Sequence, residues 1–184
     1  MINLVNVPNI LTILRILCVP VFVDLLIYER FDYALALFLI AAATDGLDGL
    51  IARLSNQRSR VGMYLDPLAD KVLLMSAFIT LSILHHVPVW LTTIVVSRDL
   101  IVATGTLLLH LLNVQIDISP SWLGKVTTVL QLGYVILELT LVALAQSHPL
   151  LDHATLLVAG VTLASGLQYV YRGVRSMRVE PVAR

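Results

Sequence analysis

Residues 33–54 read YALALFLIAAATDGLDGLIARL, an apolar run that ends in two aspartates three residues apart, Asp45 and Asp48. About 20 apolar residues in a helix cross the hydrocarbon core of a bilayer, and a charged side chain inside that core is costly. A short polar stretch follows, and the next apolar segment opens with GMYLDPLADK at residues 62–71. This part of the chain predicts two consecutive membrane helices that carry acidic residues at their adjoining ends.

The composition of the whole chain also favours a membrane protein. Of its 184 residues, 58% are hydrophobic and 13% are charged, and the mean hydropathy is +0.90, values far from those of soluble domains. The formal net charge is zero, so no basic field indicates a nucleic-acid partner. The one cysteine, Cys18, cannot form an intrachain disulfide, and the lack of Cys/His clusters argues against structural zinc.

Six segments are apolar over about 20 residues and are expected to cross the membrane as helices. They lie near residues 8–28, 33–54, 66–85, 88–112, 121–146 and 150–172. No repeat or long linker separates them, so we expect one domain over residues 1–184, an all-α bundle of six transmembrane helices. The first segment lacks a basic flank and a small-residue cleavage site, which predicts a retained span.

The distribution of arginine predicts the topology. Six spans place both termini on one side of the membrane, together with the loops at 55–65 and 113–120. That side carries Arg53, Arg58, Arg60, Arg172, Arg175, Arg178 and Arg184, whereas the opposite loops carry Arg30. Because cytoplasmic loops are enriched in basic residues, we expect both termini and the acidic helix ends to be cytoplasmic.

The four aspartates of this region are expected to form a metal site. Asp45 and Asp48 are three residues apart, and Asp66 and Asp70 are four apart, so each pair shares one face of its helix. Two carboxylates about 4 Å apart repel by roughly 4 kcal/mol at an effective dielectric near 20. A hard divalent cation offsets this repulsion, and four carboxylates could hold two Mg²⁺ or Mn²⁺ ions. Such a site suits chemistry on a phosphate anhydride.

The fixed residues around these acids resemble a known signature. The run Asp45-x2-Asp48-Gly49-x2-Ala52-Arg53, then eight residues to Gly62, three to Asp66 and three to Asp70, is similar to the complete signature of the CDP-alcohol phosphatidyltransferase family. The similarity to its glycerol-lipid branch extends from Pro8-Asn9 through Ser97-Arg98-Asp99 to residues 124–128. The resemblance therefore covers most of the chain.

The resemblance implies a six-helix fold, often dimeric, with two metal ions in a polar cavity open to the cytoplasm. By motif position, the metal ligands would be Asp45, Asp48, Asp66 and Asp70, and Asp70 would also be the general base for the acceptor hydroxyl. The residues expected to shape the site for the cytidine diphosphate of CDP-diacylglycerol are Asp48, Gly49, Ala52, Arg53 and Gly62. Glycines there could instead serve helix packing, and Arg53 could anchor the helix at the membrane interface.

Two cations are candidates for binding the phosphate of the acceptor alcohol. Arg98 falls inside the fourth segment, where an arginine is costly unless it is paired or functional, so an ion pair with Asp99 is the alternative. Lys125 lies near the start of the fifth segment. Acceptors in the glycerol-lipid branch carry a phosphate, which a cation from each of these two helices could bind.

Two acceptors compete. Bacterial phosphatidylglycerophosphate synthases typically carry a second arginine eight residues after the first, whereas this chain has Thr106 at that spacing from Arg98. The strings NQRS at 56–59 and SRD at 97–99 look like the cardiolipin synthases of the CDP-alcohol type, whose acceptor is phosphatidylglycerol. We therefore favour phosphatidylglycerol over glycerol-3-phosphate, with inositol phosphate and serine less favoured, and we expect a bacterial inner membrane location.

Two readings from other classes stay open at this point. A cation transporter could use an acidic cluster as its ion site, but its acids would be spread through the depth of the bilayer and its halves would repeat. An intramembrane prenyltransferase also uses aspartates and magnesium on a diphosphate. Those enzymes look like longer chains with two separated aspartate-rich motifs, so the compact spacing here counts against them.

Overall fold

The structure is a computed structural model that describes the backbone of residues 7–55, 62–111, 122–146 and 148–177. Within these ranges it describes the side chains of residues 13–44, 71–108, 122–146 and 148–175. The six helices are α1 (Val7–Ile27), α2 (Phe31–Ser55), α3 (Gly62–Ile83), α4 (Val89–Leu111), α5 (Trp122–Ala143) and α6 (Leu150–Met177). All regular secondary structure in the described ranges is helical, so the predicted all-α class is confirmed.

Each predicted segment coincides with one helix to within five residues at either end. The largest differences are at the start of α3, four residues earlier than predicted, and at the end of α6, five residues later, where the extension contains the charged Arg175. By length and composition, three helices can cross a membrane within their described parts: Val89–Leu108, Trp122–Ala143 and Leu150–Arg175. Shorter apolar stretches lie at Phe31–Thr44 and Lys71–Ile83. The full count of six spans stays a prediction.

The chain divides into two compact units. The first, which we call the aspartate unit, contains α1, α2, α3 and the second half of α5. Within it α1 packs against both α2 and α3, and the rings of Phe22 and Phe38 lie 5.6 Å apart between α1 and α2. Its fully buried side chains include Leu26, Phe78 and Leu81. This packing fixes α1 as the helix that contacts both aspartate-bearing helices.

Three helices end in the same hydrogen-bonded cap. Glu29, His85 and Ala145 adopt positive φ angles of 55°, 62° and 51° just after α1, α3 and α5. At each end at least three backbone N–H groups donate back to the last turns, as when Arg30 N–H donates to the carbonyl of Leu25 at 2.8 Å. These caps satisfy carbonyls that the helix leaves unpaired, although none uses the glycine that usually occupies this conformation. They end α1, α3 and α5 sharply before the short connections that follow.

The second unit, which we call the arginine unit, contains α4, the first half of α5, and α6. Its interior is polar for a membrane bundle, because Thr127, Gln131, Thr162 and Ser165 are almost completely buried. Gln131 Nε2 donates to Thr162 Oγ1 at 3.2 Å. Polar side chains that bond across helices in this way stabilise association where lipid provides no hydrophobic driving force.

A small residue allows close packing of α4 on α6. A Cβ atom added to Gly105 would lie 2.9 Å from Cε1 of Tyr169, closer than real Cβ atoms approach. The Tyr169 hydroxyl lies 2.8 Å from Thr106 Oγ1. Because Thr106 donates its own proton to the carbonyl of Val102 at 2.8 Å, Tyr169 is the donor in this bond.

Gly105→Ala is expected to displace the Tyr169 ring and break its bond to Thr106, lowering the free energy of unfolding by about 1–3 kcal/mol. Thermal unfolding of the purified protein in detergent measures the effect. Gly133→Ala is a matched control, because no atom lies within 4 Å of the Cβ that it would add. Equal stability of the two variants would contradict the close packing at Gly105.

Candidate active site

The four aspartates lie on two helices of the aspartate unit. Asp45 and Asp48 belong to the second half of α2, and Asp66 and Asp70 to the first three turns of α3. Their side chains fall outside the described residues, as do those of the predicted nucleotide-site residues Gly49, Ala52, Arg53 and Gly62. The backbone at all these positions is helical, so the spacings of three and four residues keep each pair on one side of its helix.

A contact between two rings relates the positions of the aspartates along α2 to those along α3. The rings of Phe31, at the start of α2, and His86, just after α3, are 5.1 Å apart. Asp45 is 14 residues along the chain from Phe31, and Asp70 is 16 residues back from His86. At about 1.5 Å per residue, these backbone positions lie at one level to within about one helical turn. The backbones of Asp45 and Asp70 are therefore expected at similar levels along the two helices.

The donor set fits a hard divalent cation. Carboxylate oxygens are the ligands that Mg²⁺ and Mn²⁺ prefer, and two pairs on adjacent helices supply enough of them for two ions. Among the side chains that the structure describes, no group of three or more His, Cys, Asp or Glu residues comes together. The aspartates of α2 and α3 stay the predicted metal ligands, and their geometry lies outside the described side chains.

Arg98 is buried in the arginine unit and has two partners there. It is 9% exposed, and its Nη1 atom lies 2.7 Å from Oδ1 of Asp99, itself 7% exposed. Its Nη2 atom donates to Ser165 Oγ at 2.9 Å. Its Nε has no hydrogen-bond partner among the described residues. The ion pair with Asp99, which was the alternative to acceptor binding, is present in the structure. Binding of an acceptor phosphate by the remaining N–H groups of Arg98 stays a prediction.

Lys125, the second predicted acceptor cation, is exposed in the first turn of α5. An ammonium group there is free to move on a flexible stem, which suits contact with a mobile lipid headgroup. Its role also stays a prediction.

Three side chains near these positions were not predicted from the sequence. Ser165 and Tyr169 lie one turn apart on α6, and each bonds to α4, at Arg98 and Thr106 respectively. Their small or aromatic side chains give no distinctive sequence signal. Arg15, in α1, is 3% exposed. The sequence could have pointed to Arg15, because a cation within an apolar segment is costly unless it is paired or functional.

Known proteins are similar to this chain over most of its length. Residues 5–167 match the CDP-alcohol phosphatidyltransferase family. A probable phosphatidylglycerophosphate synthase of Mycobacterium tuberculosis is 35% identical over 185 residues, covering 95% of this chain and 85% of that protein. A CDP-diacylglycerol–glycerol-3-phosphate 3-phosphatidyltransferase of Pseudomonas fluorescens is 36% identical, covering 90% and 88%. The human CMP-forming cardiolipin synthase is 32% identical over 95% of this chain, which spans 64% of the human protein.

Proposed function

We propose that this chain, which belongs to the CDP-alcohol phosphatidyltransferase family, transfers a phosphatidyl group from CDP-diacylglycerol to a glycerol-based acceptor and releases CMP. The observation that carries the proposal is the complete set of eight motif positions from Asp45 to Asp70 on α2 and α3. Both helices pack on α1, and helical rise from the contact of Phe31 with His86 supports similar backbone levels for Asp45 and Asp70. Relatives named as synthases of phosphatidylglycerophosphate and cardiolipin support the same chemistry.

The aspartates would hold two divalent ions. Mg²⁺ or Mn²⁺ bound by Asp45, Asp48, Asp66 and Asp70 would neutralise the diphosphate of the donor and so assist the departure of CMP. Gly49, Ala52, Arg53 and Gly62, with Asp48, would line the site for cytidine diphosphate. Glycine leaves room for a close approach of the ligand to the backbone, and Arg53 offers a cation to phosphate.

The proposed reaction is a direct displacement. Asp70 accepts the proton of the acceptor hydroxyl, and the resulting oxygen attacks the phosphorus that carries the diacylglycerol group. The bond between that phosphorus and the bridging oxygen breaks, and CMP leaves with the bond's electrons. Arg98 and Lys125 bind the phosphate of the acceptor and so orient its hydroxyl for attack.

The favoured acceptor is phosphatidylglycerol, which makes the product cardiolipin. Its phosphodiester carries one negative charge, whereas glycerol-3-phosphate carries nearly two. Asp99 already balances Arg98, and Thr106 is neutral where bacterial phosphatidylglycerophosphate synthases carry a second arginine. A weakly cationic site suits the singly charged lipid. Glycerol-3-phosphate is the second candidate, supported by the two bacterial relatives named above.

The apolar helices and the membrane-lipid synthases among its relatives make this chain a membrane protein. Our proposal extends this to six spans in one bundle, with both termini and the active site on the cytoplasmic side of a bacterial inner membrane. It also includes a homodimer. Access to reporter cysteines placed near either terminus, with Cys18 replaced by serine, would test the topology in spheroplasts.

Thr106→Arg tests the choice of acceptor. An arginine at 106 would displace Tyr169 from its hydrogen bond and add a cation to the α4–α6 seam. We expect the wild-type protein to use phosphatidylglycerol without this arginine, and the variant to shift its preference towards glycerol-3-phosphate by about tenfold. The ratio of kcat/KM for the two acceptors measures the shift. A wild-type protein that needs the added arginine for any turnover would contradict the phosphatidylglycerol assignment.

The direct test of the proposed function is CMP release from CDP-diacylglycerol by the purified protein with Mg²⁺ or Mn²⁺. Phosphatidylglycerol, glycerol-3-phosphate, inositol phosphate and no acceptor are offered in parallel. Release that depends on an acceptor supports phosphatidyl transfer, and the preferred acceptor identifies the product. No release with any acceptor and either metal would overturn the proposal and revive the transporter alternative, which ion flux in proteoliposomes would then test.

A further inference from the structure

Arg15 is a permanently charged side chain buried in the aspartate unit. It lies in α1 and is 3% exposed, whereas Ile13, Leu14 and Leu17 beside it are about half exposed or more. A guanidinium stays protonated under all ordinary conditions, so its burial cannot be relieved by loss of a proton. Burying such a charge in an apolar helix bundle is costly unless negative charge lies nearby.

The packing of α1 on α2 brings one acidic position to the level of Arg15. The two helices are joined by residues 28–30 and run antiparallel, and Phe22 and Phe38 meet between them with ring centroids 5.6 Å apart. Arg15 precedes Phe22 by seven residues, and Asp45 follows Phe38 by seven. Seven residues are two helical turns, about 10 Å along each axis. Arg15 and Asp45 are therefore level with one another.

The same count extends to the third helix. Asp45 and Asp70 lie at one level, from the contact of Phe31 with His86, and α1 packs against α3 as well as α2. Arg15 is thus a cation on the helix that contacts both aspartate-bearing helices, at the depth of their acids. Arg15 is not one of the eight motif positions, since it lies 30 residues before Asp45, the first of them.

We infer that Arg15 is a positioning residue for the metal site. Its fixed positive charge holds the aspartate carboxylates together and weakens the binding of metal ions in the absence of the donor. The inference rests on the proposed function, because it requires that the aspartates bind metal. Four carboxylates carry a charge of −4 and two divalent ions +4, so a fixed extra cation makes the loaded site positive. That surplus favours the anionic diphosphate of the donor and weakens metal binding before the donor arrives.

Mn²⁺ binding to the full-length protein in detergent, without nucleotide, tests this role. Free Mn²⁺ is counted from its electron paramagnetic resonance signal. Arg15→Gln removes the charge and is expected to bind Mn²⁺ at least about tenfold more tightly. Arg15→Lys keeps the charge and is expected to stay within about twofold of the wild type. If the glutamine variant does not fold, Arg15→Met repeats the comparison with an apolar side chain.

Two controls separate this inference from the proposed function. Arg30→Gln removes the same charge from an exposed position beyond the end of α1, which itself lies about 18 Å from Arg15. This variant is expected to leave Mn²⁺ binding unchanged. Asp66→Asn should weaken it. If Asp66→Asn weakens Mn²⁺ binding but the neutral Arg15 variants do not bind Mn²⁺ more tightly than the wild type, the inference about Arg15 is overturned and the proposed metal site stands. Absence of any binding sensitive to Asp66→Asn would overturn both the metal site and the inference.

Discussion

Asp70→Asn is expected to reduce acceptor-dependent CMP release by at least about a thousandfold while leaving nucleotide binding largely intact. Asparagine has the shape of aspartate but cannot accept the proton of the acceptor hydroxyl, and a general base contributes about 10²–10⁴ to a rate. The loss of one carboxylate charge from the metal site adds to the effect. Turnover is measured by CMP release, and nucleotide binding by calorimetry with CMP and Mg²⁺.

The design must separate the role of Asp70 as base from its role as metal ligand. Asp45→Asn serves for this, because it removes a ligand charge from α2 without removing the proposed base. We expect a high concentration of Mn²⁺ to restore part of the turnover of Asp45→Asn and none of that of Asp70→Asn. Asp32→Asn, at an exposed carboxylate in the first turn of α2, should behave as the wild type. Turnover retained by Asp70→Asn would remove Asp70 from the role of base.

Much of the fold follows from the sequence because a single rule, apolar length, governs helices in a bilayer. The predicted segments therefore match the helices to within five residues. The end of α6 extends into polar residues that include Arg175, whereas α3 and α5 end two and three residues early at hydrogen-bonded caps. α3 begins at Gly62, four residues before the predicted segment. The metal site could also be predicted from the sequence, since four carboxylates at helical spacing beside membrane spans have few structural uses.

What the sequence could not give is the set of partners brought together by packing. Arg98 beside Asp99 predicted an ion pair, but Ser165 lies 67 residues away and joins them only because α4 packs on α6. Tyr169 over Gly105 has the same origin. Arg15 and Asp45 lie at the same level because of the register between α1 and α2. The contact of Phe22 with Phe38 shows this register, and hydropathy does not predict it.

Arg98→Gln is expected to lower acceptor-dependent kcat/KM by about a hundredfold, with the KM for CDP-diacylglycerol little changed. A charge-assisted hydrogen bond to phosphate contributes about 1.5–3 kcal/mol, which corresponds to this loss. The same variant removes one partner of a buried ion pair and is expected to destabilise the protein by about 3–5 kcal/mol. Activity and thermal unfolding in detergent must therefore be measured on the same preparation.

The double variant Arg98→Gln/Asp99→Asn decides between the two roles of the arginine. The double variant has no buried carboxylate that lacks its cation, so we expect it to regain most of the stability that Arg98→Gln loses. Acceptor use should not return, because no cation replaces the guanidinium, whose Nε has no bond among the described residues. If the double variant regains acceptor-dependent turnover along with stability, Arg98 serves the ion pair and Ser165, and another cation must bind the acceptor phosphate. Lys125, exposed at the start of α5, would then be the residue to replace next.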